Sequence, residues 1–159
     1  MDYRIESKSS LIIQGLSRRI STENDANLIQ VPKFWKDFEH MPISKSIVEH
    51  IGPLGLIGVC YNNCEVGLQY DYMIGVEAHK EIDGNTKILE IPSSTWAIFT
   101  AQGKIPESVQ LVWKEILDEF FVKTSYRHSR LPELEIYPEG DTNSKNYTCE
   151  IWIPIVDWE

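Results

Sequence analysis

Apolar and polar residues alternate along Tyr147–Ile155: Tyr147, Cys149, Ile151, Ile153 and Ile155 share one parity, and Thr148, Glu150, Trp152 and Pro154 the other. Alternation of this kind predicts a strand, since successive side chains point to opposite faces. The preceding run repeats it, with Leu134 and Ile136 set against Glu133, Glu135 and Tyr137. A helical period replaces it upstream, where Val109, Val112, Trp113, Ile116 and Phe120 recur behind Pro106, a residue suited to a first helical turn. In the first half Pro32 is expected to play the same part, followed by Phe34, Trp35 and Phe38. Asn62-Asn63, Asp83-Gly84-Asn85 and Gly140-Asp141-Thr142-Asn143 carry the turn chemistry that separates strands.

The chain also repeats itself. Ile5-Glu6-Ser7-Lys8-Ser9-Ser10 matches Leu89-Glu90-Ile91-Pro92-Ser93-Ser94, and Trp35-Lys36 matches Trp113-Lys114. Residues 57–62 (IGVCYN) match 134–139 (LEIYPE), and Tyr70–Glu77 falls on Tyr147–Pro154. The matches occur in one order and the last three hold a nearly constant offset, which a duplication explains. Residues 1–159 are therefore expected to form one domain of two repeats, about 1–80 and 85–159. Each repeat reads strand, strand, helix, strand, strand. The predicted fold is α+β, with about eight mostly antiparallel strands, two main helices on one face and a ligand cleft between the halves.

The two faces of the last strand suggest where that cleft lies. The Tyr147–Ile155 parity suits a surface packed under the helices. The other parity should be wet, yet it carries Trp152 beside Glu150, and the first copy places Met73 where the second has Glu150. A face mixing Trp, Tyr, Met and carboxylate suits a ligand cleft. An ionised Glu among aromatic rings favours flat, lipophilic cations, with about 0.5–2 kcal/mol added by a ring face. The alternative is an ordinary Glu at an exposed position or one paired with Lys or Arg. Met73, Trp96, Tyr70, Tyr72 and Tyr137 are the accompanying candidates for the lining, together with Trp152.

Composition narrows the partners. The 159 residues are 42% hydrophobic and 25% charged, with a net charge of −9. Nucleic-acid affinity comes from Lys and Arg neutralising phosphates, and Arg18-Arg19 is the only basic cluster, so direct nucleic-acid binding is not expected. No apolar run approaches the roughly 20 residues of a membrane span, and MDYRIESKSS has neither a basic nor an apolar signal region, so a cytoplasmic location is expected. Cys60 and Cys64 lack a second pair to complete a zinc site, and His40, His50, His79 and His128 have no ligand spacing. Neither metal nor cofactor is expected. Trp35 and Trp113 lie on helical faces and read as core.

The stretches PKFWKDF, IGVCYN, YDYMIGVE, IPSSTWAIF, PELEIYPEGD and YTCEIWIPI resemble the GyrI-like small-molecule-binding domain, also called the AraC-type effector-binding domain. The resemblance runs from Tyr3 to Ile155 and keeps the order of motifs. It implies two duplicated strand-rich units enclosing a cleft. It further implies that Glu150 meets the positive charge of lipophilic cationic drugs and that Trp152 lines the pocket. Such domains resemble the sensing modules of multidrug-responsive regulators, but this chain is filled by the one domain, so regulation would need a protein partner.

Three functions follow as expectations. The first is binding of lipophilic, often cationic or aromatic molecules for sensing or sequestration. The second is hydrolysis of cyclopropane-bearing DNA-alkylating compounds, as the resemblance implies for some freestanding members, with Glu150 as catalytic base and Tyr70, Tyr72 or Tyr137 assisting. The third is an interaction protein acting on DNA gyrase.

Overall fold

The computed structural model describes residues 2–64 and 68–157; the side chain of Cys64 lies outside the described part. Among these described residues nine strands form one antiparallel sheet in the order β1-β6-β9-β8-β3-β4-β2-β5, with β7 pairing β9 off this path. The strands are β1 Tyr3–Lys8, β2 Leu11–Ser21, β3 Leu56–Cys64, β4 Gln69–Glu77, β5 Lys87–Ile91, β6 Ser94–Gln102, β7 Tyr126–His128, β8 Glu133–Tyr137 and β9 Thr148–Asp157. The extra strand beyond eight, β7, lies between the second-half helix and β8. Exchanging β1 with β5, β2 with β6, β3 with β8 and β4 with β9 reproduces the same order read from the other edge. The first strand of each half therefore pairs with the second strand of the other, as β1 does with β6 and β5 with β2. The antiparallel pair β3–β8 stands at the middle.

Helices α1 (Asn27–Glu39) and α2 (Pro42–Val48) belong to the first half. In the second, α3 (Glu107–Glu115) runs through a π-helical turn, Ile116–Phe120, into α4 (Phe121–Lys123). Pro32 is inside α1 rather than in its first turn. A proline there lacks the N–H that would bond the carbonyl four residues back. That carbonyl, Leu28 O, instead accepts from Gln110 Nε2 of α3 at 3.4 Å, a link between the helices of the two halves. No helix among the described residues is long and apolar enough to cross a membrane.

Three cores result. On the helix face, α1 and α2 cover β2 and β4 through Phe34, Phe38, Ile47, Tyr72, Ile74 and Val76. On the same face α3 and the π-helical turn cover β6 and β9 through Val109, Ile116 and Phe120 against Phe99, Ile151 and Ile153. The face of β9 carrying Cys149, Ile151, Ile153 and Ile155 thus packs against helix, as its alternation predicts, and Tyr147 just before the strand joins the same core. The opposite face is not the expected cleft. There Ile13, Ile57, Met73, Trp96, Leu134 and Trp152 form one buried cluster drawn from strands near both edges of the sheet. The sheet therefore curls until its ends meet, and the surface that lacks helices is closed by the sheet itself. Curling lets eleven residues at 5% exposure or less bury apolar area without a third layer.

Candidate functional site

Because each helical group covers the outer strands of its own half, the middle pair β3–β8 is left without a helix over it. The residues of that pair facing the helices are Leu56, Gly58 and Cys60 from β3, opposite Tyr137, Glu135 and Glu133 from β8. All but Gly58, which the Tyr72 hydroxyl covers, form the floor of an open cavity of about 2420 Å³, walled by α1 on one side and α3 on the other. Its apolar lining includes Val31, Trp35, Met41, Val109, Trp113 and Phe121.

Glu135 is the centre of the floor. It is 5% exposed, yet three donors reach its carboxylate. Tyr72 Oη donates to Oε1 at 2.5 Å, Tyr137 Oη to Oε1 at 3.1 Å and Trp113 Nε1 to Oε2 at 2.8 Å. Trp35 Nε1 donates to Tyr72 Oη at 2.9 Å, so an indole from each half's helix ends on the same carboxylate network. The Trp35 ring stands edge-on to Tyr137, with centroids 5.1 Å apart. All three direct donors are neutral. Among the described residues no Lys or Arg pairs with Glu135. Burial pushes the Glu135 carboxyl above its ordinary range, and the bonds from Tyr72, Trp113 and Tyr137 pull it back without cancelling the rise. Burial and the Glu135 charge together push the phenols of Tyr72 and Tyr137 well up, so both remain donors across physiological pH.

The network fits because β3 presents glycine. A Cβ on Gly58 would lie 2.1 Å from Tyr72 Oη and 2.8 Å from Glu135 Oε1. Setting residues 57–62 against 134–139 places Gly58 opposite Glu135, so one segment supplies the carboxylate and the other the space for its hydrogen bond. A carboxylate with three neutral donors, four aromatic rings around it and one acceptor direction unused can hold a cation, or can exchange a proton with a bound molecule.

A second acidic group sits farther along the floor. Glu133 Oε1 is 2.7 Å from His128 Nε2, and His128 Nδ1 accepts from the backbone N–H of Arg130 at 2.8 Å. With Nδ1 acting as acceptor, the Nε2 proton points at Glu133. No group of three or more His, Cys, Asp or Glu residues among the described residues could hold a metal ion.

Of the seven residues expected to line a ligand site, Tyr70, Tyr72 and Tyr137 border this cavity. The structure places the other four elsewhere. Met73, Trp96 and Trp152 belong to the closed core on the opposite face. Glu150 is on that face too, where Arg4 Nη2 meets Oε2 at 2.9 Å and Trp152 Nε1 donates to Oε1 at 3.2 Å. Glu150 therefore takes the paired state that its sequence left open. It borders a small hollow of about 300 Å³ with Pro53, Leu54 and Ile136. Glu135, Trp35 and Trp113 had the readable signals: alternation with Tyr137, and two tryptophans at matched places in the two copies. What alternation leaves undetermined is how β8 sets against β9. The register puts Ile136, not Glu135, opposite Glu150, and so sends the two carboxylates to opposite faces.

The family described as GyrI-like small molecule binding domain matches residues 1–156. No curated protein matches the chain in sequence. Among solved structures, SAV2435 bound to tetraphenylphosphonium superposes with a TM-score of 0.86 at 24% identity, covering 98% of this chain and 94% of that one. The integron cassette protein VCH_CASS2 from Vibrio cholerae gives 0.73 at 16% identity, over 97% and 95%. The C-terminal domain of EcmrR gives 0.63 at 15% identity, over 98% of both chains. Identities this low show a shared fold.

Proposed function

The chain belongs to the GyrI-like small-molecule-binding domain family, and from that premise we propose that it binds lipophilic cations in the cavity over β3 and β8, with Glu135 as the countercharge. One observation carries the reading: Glu135 is buried among Trp35, Tyr72, Trp113 and Tyr137 with neutral donors and no basic partner among the described residues. A buried carboxylate costs free energy unless it is paired. A ligand cation supplies the pairing that the protein withholds, and the ring faces add cation–π attraction. That SAV2435 was solved with tetraphenylphosphonium, itself a lipophilic cation, supports the same class of ligand here. Sensing or sequestration in the cytoplasm would follow from binding alone.

Titration of tetraphenylphosphonium against tryptophan fluorescence tests this, since Trp35 and Trp113 stand in the cavity wall. Glu135→Gln keeps the shape and removes the charge. It is expected to weaken binding at least about tenfold, the equivalent of about 1.4 kcal/mol. Equal affinities in the two proteins would sink the charge role. Affinity in the wild type should rise with pH until Glu135 has lost its proton and then level off, because the cation competes with that proton.

The same carboxyl favours a second reading, hydrolysis of cyclopropane-bearing alkylators. A carboxyl held above its ordinary range beside two phenols can take a proton from water as its oxygen bonds to a ring carbon. The C–C bond to that carbon breaks as the C–O bond forms, and its electron pair takes the proton back from the Glu135 carboxyl, so that one water adds across the ring. Incubation with such a compound should give the product heavier by one water, and no conversion above buffer would dispose of the reading.

A further inference from the structure

The cavity holds two carboxylates, and the second has no part in the reading above. Glu133 and Glu135 are alternate residues of β8, so both point to the helix face, about 7 Å apart along the strand. Their surroundings differ. Glu135 is buried and takes three neutral donors. The Glu133 side chain is 25% exposed and takes one donor, His128 Nε2, on Oε1. Because Nδ1 of His128 is occupied by the Arg130 N–H, the imidazole meets Glu133 as a neutral donor and the pair keeps a net negative charge. Among the described residues neither carboxylate pairs with Lys or Arg. Arg127, which also borders the cavity, is held by the carbonyls of Thr124 and Tyr126. Opposite the two acids β3 carries Cys60, which borders the cavity beside Glu133, and Gly58, whose free space the Tyr72 hydroxyl fills. The cavity volume of about 2420 Å³ exceeds the ~300–1,000 Å³ of an ordinary drug site, so it admits an elongated molecule lying along the floor.

We infer that the cavity selects dications: molecules with two cationic centres about 7 Å apart on a flat apolar frame, one centre at Glu135 and the other at Glu133. Glu133 is the residue that sets the preference for a dication over a monocation. The inference rests on the proposed role of Glu135, which fixes the first centre. Two charges of one sign in one cavity repel each other and their neighbours, and a single bound cation relieves only one of them. The quarter-exposed position of Glu133 suits a centre that enters last and stays partly hydrated.

A matched pair of probes separates the two claims. Benzyltrimethylammonium carries one centre, and 1,4-bis(trimethylammoniomethyl)benzene carries two on the same ring, about 7 Å apart to match the strand spacing. Calorimetric titration of both into the wild type, Glu133→Gln and Glu135→Gln gives an affinity ratio for each protein. In the wild type the dication is expected to bind at least about tenfold tighter than the monocation. Glu133→Gln should bring that ratio down to about the twofold of simple statistics while moving the monocation less than about threefold. Glu135→Gln should weaken both probes. An unchanged ratio in Glu133→Gln, or equal weakening of both probes by it, overturns the inference and leaves the role of Glu135 standing. A wild type that takes neither probe overturns both. Thermal melting of the Glu133→Gln protein checks that its fold is intact; since Glu133 is a quarter exposed, a loss of ratio without a loss of melting temperature is the expected result.

Discussion

Substituting Gly58 by alanine tests the construction of the floor with a single methyl group. Its Cβ would fall 2.1 Å from Tyr72 Oη and 2.8 Å from both Tyr72 Cζ and Glu135 Oε1, so something must move. The Tyr72 ring has little freedom: it is 1% exposed and packs edge-on to Phe34 at 6.3 Å. Relief therefore breaks the bond from Tyr72 Oη to Glu135 and disturbs the one from Trp35 Nε1. Loss of a hydrogen bond to a charged group costs about 1.5–3 kcal/mol. Overpacking of the surrounding core adds about 1–3 kcal/mol. The sum, about 2.5–6 kcal/mol, is a large share of the roughly 5–15 kcal/mol that stabilises an ordinary domain, though not all of it. The sharper test is a double-mutant cycle with Tyr72→Phe, measured by urea unfolding at constant slope. Phenylalanine has no Oη, so the worst contact is gone before the methyl arrives. The double variant should be less destabilised than the two single changes added together, with a coupling of about 1–3 kcal/mol. Additivity within about 0.5 kcal/mol would show that the methyl and the phenol do not compete for one space, and the account of Gly58 would fall.

Two further outcomes follow from the same geometry. Because burial raises the Glu135 carboxyl above its ordinary value of 4.5, the folded protein holds that proton to higher pH than the unfolded chain. Stability is then full below the ordinary carboxylate range and declines as pH rises from about there through the raised value. Glu135→Gln should remove this decline, and an identical pH profile in the two proteins would contradict it. Glu150→Gln, on the closed face beside Arg4, should leave tetraphenylphosphonium affinity unchanged and cost no more than about 1 kcal/mol of stability. A tenfold loss of affinity there would move the site back to the face that the alternation of β9 first suggested.

Much of the fold was legible because its causes are local. The parity of Tyr147, Cys149, Ile151, Ile153 and Ile155 marks the strand and its buried side, and Val109, Val112, Trp113 and Ile116 mark the helix that covers it. The repeated Trp35 and Trp113 were visible as a pair, but helical spacing does not distinguish a core position from a cavity wall. The indole N–H of Trp35 reaches Tyr72 on β4, and that of Trp113 reaches Glu135 on β8. Nothing within either helix announces that such a partner exists.

Which residues of each strand share a face, where the helices fall, and that one half carries a carboxylate where the other has a small or apolar residue all follow from the order of amino acids. Tertiary structure decided which faces meet. Alternation fixes side-chain parity only within a strand, and a shift of one residue in register sends a neighbouring strand's whole set to the other side. The register of β8 on β9 separated Glu135 from Glu150, and the curl of the sheet sealed Trp152, Trp96 and Met73 into core. The gap between two helices that each cover their own half then opened a cavity over Glu133, Glu135 and Tyr137.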